Sequence, residues 1–146
     1  DFIFDPYQIL QSKIYNADAI LLILSILSDN QTKEFIEIAD NYNLDCLIEI
    51  HTKIELERAL KIGYPIIGIN NRNLKTLNVN DDNTINLLTN FPEEFTFVTE
   101  SGIKNYDYIK KYNNVGIFNF LIGESILKSN NINNKIKELK GSWYYI

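Results

Sequence analysis

The sequence predicts an α/β fold built on a parallel sheet, and three observations support this prediction. Short apolar runs alternate with amphipathic segments along all 146 residues. Most runs are nearly continuous in Ile, Leu, Val and Phe, as in parallel strands buried on both faces. The spacing between successive runs is that of one βα unit, and no Gly-Ser linker or low-complexity tract interrupts them.

Six strands are predicted, at residues 1–4, 19–24, 46–50, 66–69, 96–98 and 117–122. Two architectures fit, a doubly wound sheet and a (β/α)8 barrel. No G-x-G-x-x-G follows the first strand, which disfavours a dinucleotide-binding sheet. The chain also lacks methionine, which indicates a fragment. We therefore predict a (β/α)8 TIM barrel that is incomplete because it lacks its first two βα units.

Helix boundaries are marked by particular residues. Asp5 followed by Pro6 predicts an N-cap with proline in the first helical position. Thr52 and Glu55 form a predicted capping box, and Gly63 is a natural end for that helix. The other helices are indicated by apolar residues at helical spacing at 35–42, 87–88, 108–112 and 132–139.

Composition excludes several classes of protein. We predict one domain over residues 1–146, with 129–146 as the last helix and tail. A net charge of -5 without a basic cluster argues against nucleic acid. The single cysteine, Cys46, excludes a disulfide framework, and no residue spacing suggests a metal site. The longest apolar run, at 19–27, is far short of the roughly 20 residues that span a membrane. A cytoplasmic protein is predicted.

Polar residues follow the strands at the edge where parallel sheets bind ligands. Glu49 interrupts an apolar strand, where a carboxyl group can serve as general acid or base. Alternatively, the side chain of Glu49 points outward, or it forms an ion pair that serves only the structure. Arg72 can hold a substrate carboxylate with two hydrogen bonds, and an ordinary surface arginine is the alternative. His51 is interpreted as a partly exposed loop residue rather than a proton shuttle, and Cys46 as a packing residue.

Glycines end the last two predicted strands. Gly102 and Gly123 allow backbone N–H groups to approach an anion, and a helix N-terminus adds a favourable potential. The side chain of Glu124 would repel phosphate, so only its backbone can contribute. The pair predicts a phosphate site.

Several motifs together resemble the indole-3-glycerol phosphate synthase family, over residues 1–128 and in the family's order. They include Leu47-Ile-Glu-Ile, Gly68-Ile-Asn-Asn-Arg-Asn-Leu, Thr99-Glu-Ser-Gly-Ile and Phe120-Leu-Ile-Gly-Glu-Ser. The resemblance implies a carboxy-lyase of tryptophan biosynthesis that uses no cofactor. Its sugar-phosphate substrate would be 1-(2-carboxyphenylamino)-1-deoxyribulose 5-phosphate, converted to indole-3-glycerol phosphate with loss of carbon dioxide and water. Fusion to, or association with, another enzyme of the pathway stays open.

The resemblance also implies roles for residues that match the family's motifs. Glu49 would be the general acid/base around dehydration, and Asn70 would orient the substrate hydroxyls. Arg72 would bind the anthranilate carboxylate. The remaining implied residues are Glu100 and Ser101 in the substrate pocket, Phe2 and Leu21 against the aromatic ring, and Gly102, Gly123 and the backbone of Glu124 at the phosphate.

One departure from the family limits these expectations. Two lysines and a glutamate of the family's active site, including the general-acid lysine for ring closure, would precede Asp1. Residues 1–146 alone are therefore expected to be inactive. Two alternatives are another phosphate-binding barrel, of the phosphoribosylanthranilate isomerase type, and a non-catalytic remnant that binds sugar phosphates.

Overall fold

The computed structural model describes residues 2–88 and 92–141. Asp1 and the aromatic residues 143–145, for which the sequence predicts packing against the last helix, lie outside them. The described part contains seven helices and five strands. In chain order they are α1 (Pro6–Ile14), β1 (Ala19–Ile23), α2 (Asp29–Asn41), β2 (Asp45–Ile50), α3 (Lys53–Ile62), β3 (Ile66–Asn70), α4 (Asn83–Leu87), β4 (Thr96–Glu100), α5 (Tyr106–Asn113), β5 (Asn119–Leu121), α6 (Glu124–Leu127) and α7 (Ile132–Lys140).

The strands form one five-stranded sheet in the order β1-β2-β3-β4-β5. β1 pairs in parallel with β2, and β4 pairs in parallel with β5. Strands that neighbour each other in both sequence and space, joined through helices, give the succession of βα units that builds a barrel. The predicted (β/α) architecture is confirmed, with five of the barrel's eight strands in the described residues.

The prediction of a first strand at 1–4 is wrong for residues 2–4, which the structure describes. Phe2 has a left-handed backbone with φ of 54°, which a strand does not accommodate. The backbone N–H groups of Phe4 and Asp5 donate to Gln8 Oε1 at 2.9 and 3.1 Å. Capping of α1 thus takes up the donors that a strand at this position would need.

The last predicted strand, at 117–122, is shorter than expected. β5 covers only Asn119–Leu121. The backbone N–H of Ile117 donates to the carbonyl of Tyr112 at 3.1 Å, so it belongs to the turn that ends α5.

The predicted helix ends are confirmed. Asp5 caps α1 with Pro6 in the first turn. Thr52 and Glu55 form the capping box of α3, and Gly63 ends that helix with φ of 82°. A further capping box, in which Ser28 is the N-cap of α2, was not predicted.

The described residues form two compact units. The first comprises Asp1–Gly68 and Pro92–Thr96. Its core contains large aliphatic and aromatic side chains from α1, β1, α2 and β2. They include Ile9, Leu22, Phe35 and Ile48, each no more than 2% exposed.

One arginine of α3 fixes the segment after β1. The Arg58 guanidinium donates to the backbone carbonyls of Leu24 at 2.9 Å and Leu27 at 2.7 Å. Its Nε donates to Asp29 Oδ1 at 2.6 Å, in the first turn of α2. These contacts connect β1, α2 and α3 around one side chain.

The second unit comprises Ile69–Phe91 and Phe97–Ile146. Its described core includes Ile69, Phe97, Tyr112, Ile117 and Leu139, all buried. Among the helices of the described ranges, none is both long and apolar enough to cross a membrane.

Candidate active site

In the first unit, β2 carries Glu49 one residue before its end. The side chain is only 3% exposed, and its Oε1 lies 3.2 Å from Nε2 of His51. His51 follows the last residue of β2 directly, and residues two apart in extended backbone point to the same side, which explains why His51 reaches Glu49. The side chain of Glu49 is therefore buried rather than pointing outward, and its catalytic role stays a prediction.

His51 also contacts the start of α3. Its Nδ1 lies 3.6 Å from Glu55 Oε2, and its backbone N–H donates to the same oxygen at 2.6 Å. Burial raises the pKa of Glu55, but hydrogen bonds and charge from His51 outweigh this effect and leave the pKa below its usual value. His51 is partly exposed, as predicted, yet it lies between two carboxyl groups. The alternation rule alone was enough to predict the contact with Glu49.

The two apolar residues predicted against the aromatic ring lie in different environments of this unit. Leu21 pairs in register with Leu47, and Ile23 pairs with Glu49. Leu21 is therefore on the same face of the sheet as Glu49. Phe2 is 54% exposed in the irregular segment before α1.

The second unit contains most of the remaining predicted site residues. Asn70 ends β3 and is 7% exposed, with its Oδ1 accepting the backbone N–H of Arg72 at 2.9 Å. Glu100 ends β4 and is 2% exposed. Ser101 and Gly102 follow with left-handed backbones, at φ of 61° and 81°. We refer to these two residues as the 101–102 turn.

The 101–102 turn lines a cavity of about 110 Å³. The 123–125 segment, at the start of α6, lines it from another direction, and Arg72 also contributes. Backbone N–H groups in the first turn of a helix have no acceptor within the helix. The predicted phosphate residues Gly102, Gly123 and Glu124 thus meet at one cavity.

Two basic side chains next to this cavity form ion pairs with the same carboxylate. Arg72 donates to the Glu124 carboxylate, and Lys128 donates to the same carboxylate. Lys128 and Arg72 hold the pKa of Glu124 below its usual value, through hydrogen bonds and charge. An adjoining cavity of about 360 Å³ is lined by Lys104 as well. Arg72 is partly exposed and its guanidinium is paired with Glu124, so its role as a clamp for a substrate carboxylate stays a prediction.

Two residues of this region, Asn71 and Ser125, stand among the polar strand ends of the sequence but were given no role of their own. Ser125 lines the cavity, and its buried Oγ has no hydrogen-bond partner within the described ranges. Asn71 is 2% exposed and contacts the carbonyl of Ser101 from behind the 101–102 turn. Ser125 follows the Gly-Glu pair directly, so its position was available in the sequence. Asn71 could not be distinguished from Asn70 by residue type.

Cys46 is buried and packs in β2, and burial raises the pKa of its thiol to about 12. Within residues 2–88 and 92–141, no group of three His, Cys, Asp or Glu side chains could hold a metal ion.

The parallel sheet and the polar strand ends define an α/β protein of the (β/α)8-barrel class. Solved structures support this class. The chain is similar to 3-hexulose-6-phosphate synthase from Salmonella typhimurium, with a TM-score of 0.74 and 11% identity. The similarity covers 91% of this chain and 64% of that protein. Thiamine phosphate pyrophosphorylase from Pyrococcus furiosus is similar with a TM-score of 0.69 and 16% identity, over 90% and 62% of the chains. At such low identity these similarities concern the fold alone.

Sequence comparison gives the family. The model of the family described as indole-3-glycerol phosphate synthase matches residues 1–139. Indole-3-glycerol phosphate synthase from Acetivibrio thermocellus is 45% identical over 140 residues, which are 96% of this chain and 54% of the relative. The protein of that name from Endomicrobium trichonymphae is 46% identical over 142 residues, 96% and 54% of the two chains. The chain belongs to the indole-3-glycerol phosphate synthase family, and it spans about half the length of these curated relatives.

Proposed function

We propose that the complete gene product carrying this chain is an indole-3-glycerol phosphate synthase, a carboxy-lyase of tryptophan biosynthesis. It would close the indole ring of 1-(2-carboxyphenylamino)-1-deoxyribulose 5-phosphate, releasing carbon dioxide and water. The observation that carries the proposal is Glu49, a nearly buried carboxyl group at the position to which the family resemblance assigns the catalytic glutamate. Cytoplasmic location and association with another enzyme of the pathway stay predictions.

We assign Glu49 to proton transfer during dehydration. Dehydration of the five-membered ring transfers one proton to the departing hydroxyl, which leaves as water, and removes one proton from the neighbouring ring carbon to form the double bond. A carboxyl group can perform either transfer when it is close to the reacting atoms. The neighbouring His51, with Nε2 at 3.2 Å from Glu49 Oε1, would help to orient the carboxyl group for this transfer. Asn70 would hydrogen-bond the substrate hydroxyls.

We assign the substrate phosphate to the cavity of about 110 Å³ beside the 101–102 turn. Backbone N–H groups near Gly102, Gly123 and Glu124 would bind its oxygens, and the buried hydroxyl of Ser125 supplies a further donor. Arg72 would exchange the Glu124 carboxylate for the carboxylate of the substrate. Glu100, Ser101, Phe2 and Leu21 complete the proposed pocket residues.

The proposal is tested by assaying the complete gene product for indole-3-glycerol phosphate formation. Glu49→Gln should lower kcat by about 10²–10⁴-fold, the usual contribution of a general acid or base. Glu57→Gln, on an exposed position of α3, is the matched control and should leave kcat unchanged. Arg72→Ala should raise KM by roughly tenfold or more, because a charged hydrogen bond to the substrate is lost.

The alternatives give different results in the same preparation. Phosphate binding without turnover would support the non-catalytic remnant. An unchanged KM in Arg72→Ala, together with isomerisation of a phosphoribosyl amine, would support an isomerase of the phosphoribosylanthranilate type.

A further inference from the structure

Asn71 lies behind the phosphate cavity and does not line it. The residue follows Asn70 at the end of β3, and it is 2% exposed. Its side-chain amide contacts the helices α4 and α5 and the 101–102 turn. All these partners belong to the second unit.

The amide of Asn71 uses its full hydrogen-bonding capacity. Nδ2 donates to the carbonyl of Ser101 at 3.1 Å and to the hydroxyl of Tyr112 at 2.9 Å. Oδ1 accepts the backbone N–H of Thr84 at 3.1 Å and its hydroxyl at 2.9 Å. A carboxamide offers two donors and two acceptor positions, so nothing is left over for a ligand.

Tyr112 extends this network. Its hydroxyl donates to the carbonyl of Asp81 at 2.7 Å, so the phenol both accepts from Asn71 and donates onward. A phenol is protonated at neutral pH, as the donation to Asp81 requires, and burial raises the pKa of Tyr112 further, to about 12.

The contact with Ser101 matters because this residue has an unfavourable backbone. A non-glycine residue at φ of 61° costs on the order of 1 kcal/mol and persists only where its surroundings impose it. The backbone N–H of Asn71 also donates to the carbonyl of Glu100, immediately before the turn, at 2.9 Å. A change of the Asn71 side chain keeps this backbone bond and removes the bond to Ser101. Without the bond to Ser101, we expect Ser101 to relax towards an ordinary extended or helical conformation and to move the N–H groups that follow it.

We propose that Asn71 is a positioning residue that holds the 101–102 turn in the left-handed shape needed for anion binding. The binding part of this inference rests on the proposed phosphate site, whereas the conformational part does not. Asparagine is required because the position needs a donor towards Ser101 and an acceptor towards Thr84 in one short, uncharged side chain. Aspartate lacks the donor, and alanine lacks both.

The test compares Asn71→Ala and Asn71→Asp with the control Thr84→Val in the complete gene product. Asn71→Asp keeps the acceptor for Thr84, so it remains informative if the alanine variant fails to fold. Thr84→Val removes one hydrogen bond to Asn71 but keeps the bond from Asn71 to Ser101. Two measurements are made on folded samples, namely affinity for inorganic phosphate by titration and the backbone φ of Ser101 and Gly102 from NMR chemical shifts.

The Asn71 variants should bind phosphate about tenfold more weakly, the effect of losing one well-placed hydrogen bond. Ser101 should also lose its left-handed signature in these variants, while Thr84→Val keeps both properties. Equal losses in all three variants, or none in the Asn71 variants, would overturn the inference.

The same experiment distinguishes a failure of the proposed phosphate site from a failure of the positioning role of Asn71. If the unmodified protein does not bind phosphate, the phosphate assignment is wrong, and the NMR comparison alone decides whether Asn71 holds the turn. An unchanged φ at Ser101 in the Asn71 variants would then refute the positioning role.

Discussion

Replacing Gly102 by alanine should destabilise the protein more than replacing Gly116, although both glycines have nearly the same backbone. Their φ angles are 81° and 85°. A Cβ built at Gly102 lies 2.6 Å from Asp81 Oδ1 and 2.7 Å from Val79 Cγ1, whereas at Gly116 nothing lies within 4 Å. The pair therefore separates the steric effect from the conformational effect.

The expected magnitudes follow from these two contributions. A left-handed backbone costs an alanine about 1–2 kcal/mol, and this cost applies to both variants. At Gly102, Val79 is stiff at χ1 although it is exposed, and Asp81 Oδ1 is buried, so both side chains must shift to admit a Cβ. Forcing an extra methyl group into such a site typically costs about 1–3 kcal/mol. The free energy of unfolding should fall by about 2–5 kcal/mol in Gly102→Ala and by about 1–2 kcal/mol in Gly116→Ala.

Urea unfolding followed by circular dichroism measures both values, and titration with inorganic phosphate measures the effect on the cavity. Gly102→Ala should weaken phosphate binding, because displacement of the turn moves its N–H groups, and Gly116→Ala should not. Equal destabilisation by the two variants would refute the reasoning, since it would show that Asp81 and Val79 do not restrict the space at Gly102.

Three further predictions concern other parts of the chain. Thr52→Ala should lower the free energy of unfolding by about 1 kcal/mol through loss of the α3 cap, while the exposed neighbour Lys53→Ala should change it by less than about 0.5 kcal/mol in urea titrations. Cys46 should not react with a disulfide reagent at pH 8 until urea unfolds the protein, and fast reaction of the folded protein would contradict its burial. Because the pKa of Tyr112 is raised to about 12 in the folded state, it contributes stability that is fully present below pH of about 10 and is lost as the pH rises through about 12. Urea midpoints should therefore fall less steeply across this range in Tyr112→Phe, and parallel curves would argue against the shift.

Local sequence signals predicted the elements well where one physical cause dominated. Thr52, Glu55 and Gly63 mark the ends of α3 because caps and left-handed glycines depend only on near neighbours. The apolar runs of β1 to β4 were also found, since buried parallel strands need continuous apolar residues. Residues 1–4 have the same appearance, but Gln8 takes the N–H groups that a strand would use. The apolar pattern cannot show this competition.

The sequence predicted which residues lie at the strand ends better than it predicted which of them contact each other. Placing polar residues at strand ends identified Glu49, Asn70, Arg72 and Gly102. The pairing of Arg72 with Glu124 joins residues 52 apart in the sequence, so no local pattern contains it.

The three contacts of Arg58 carry a consequence for the order of folding. The carbonyls of Leu24 and Leu27 receive their donors from a helix about 30 residues further along the chain. The segment after β1 can therefore reach its final conformation only when α3 has formed and docked. We expect mutations in this segment to give φ-values close to those of mutations at the docked face of α3, so that two regions distant in sequence become ordered in one kinetic step.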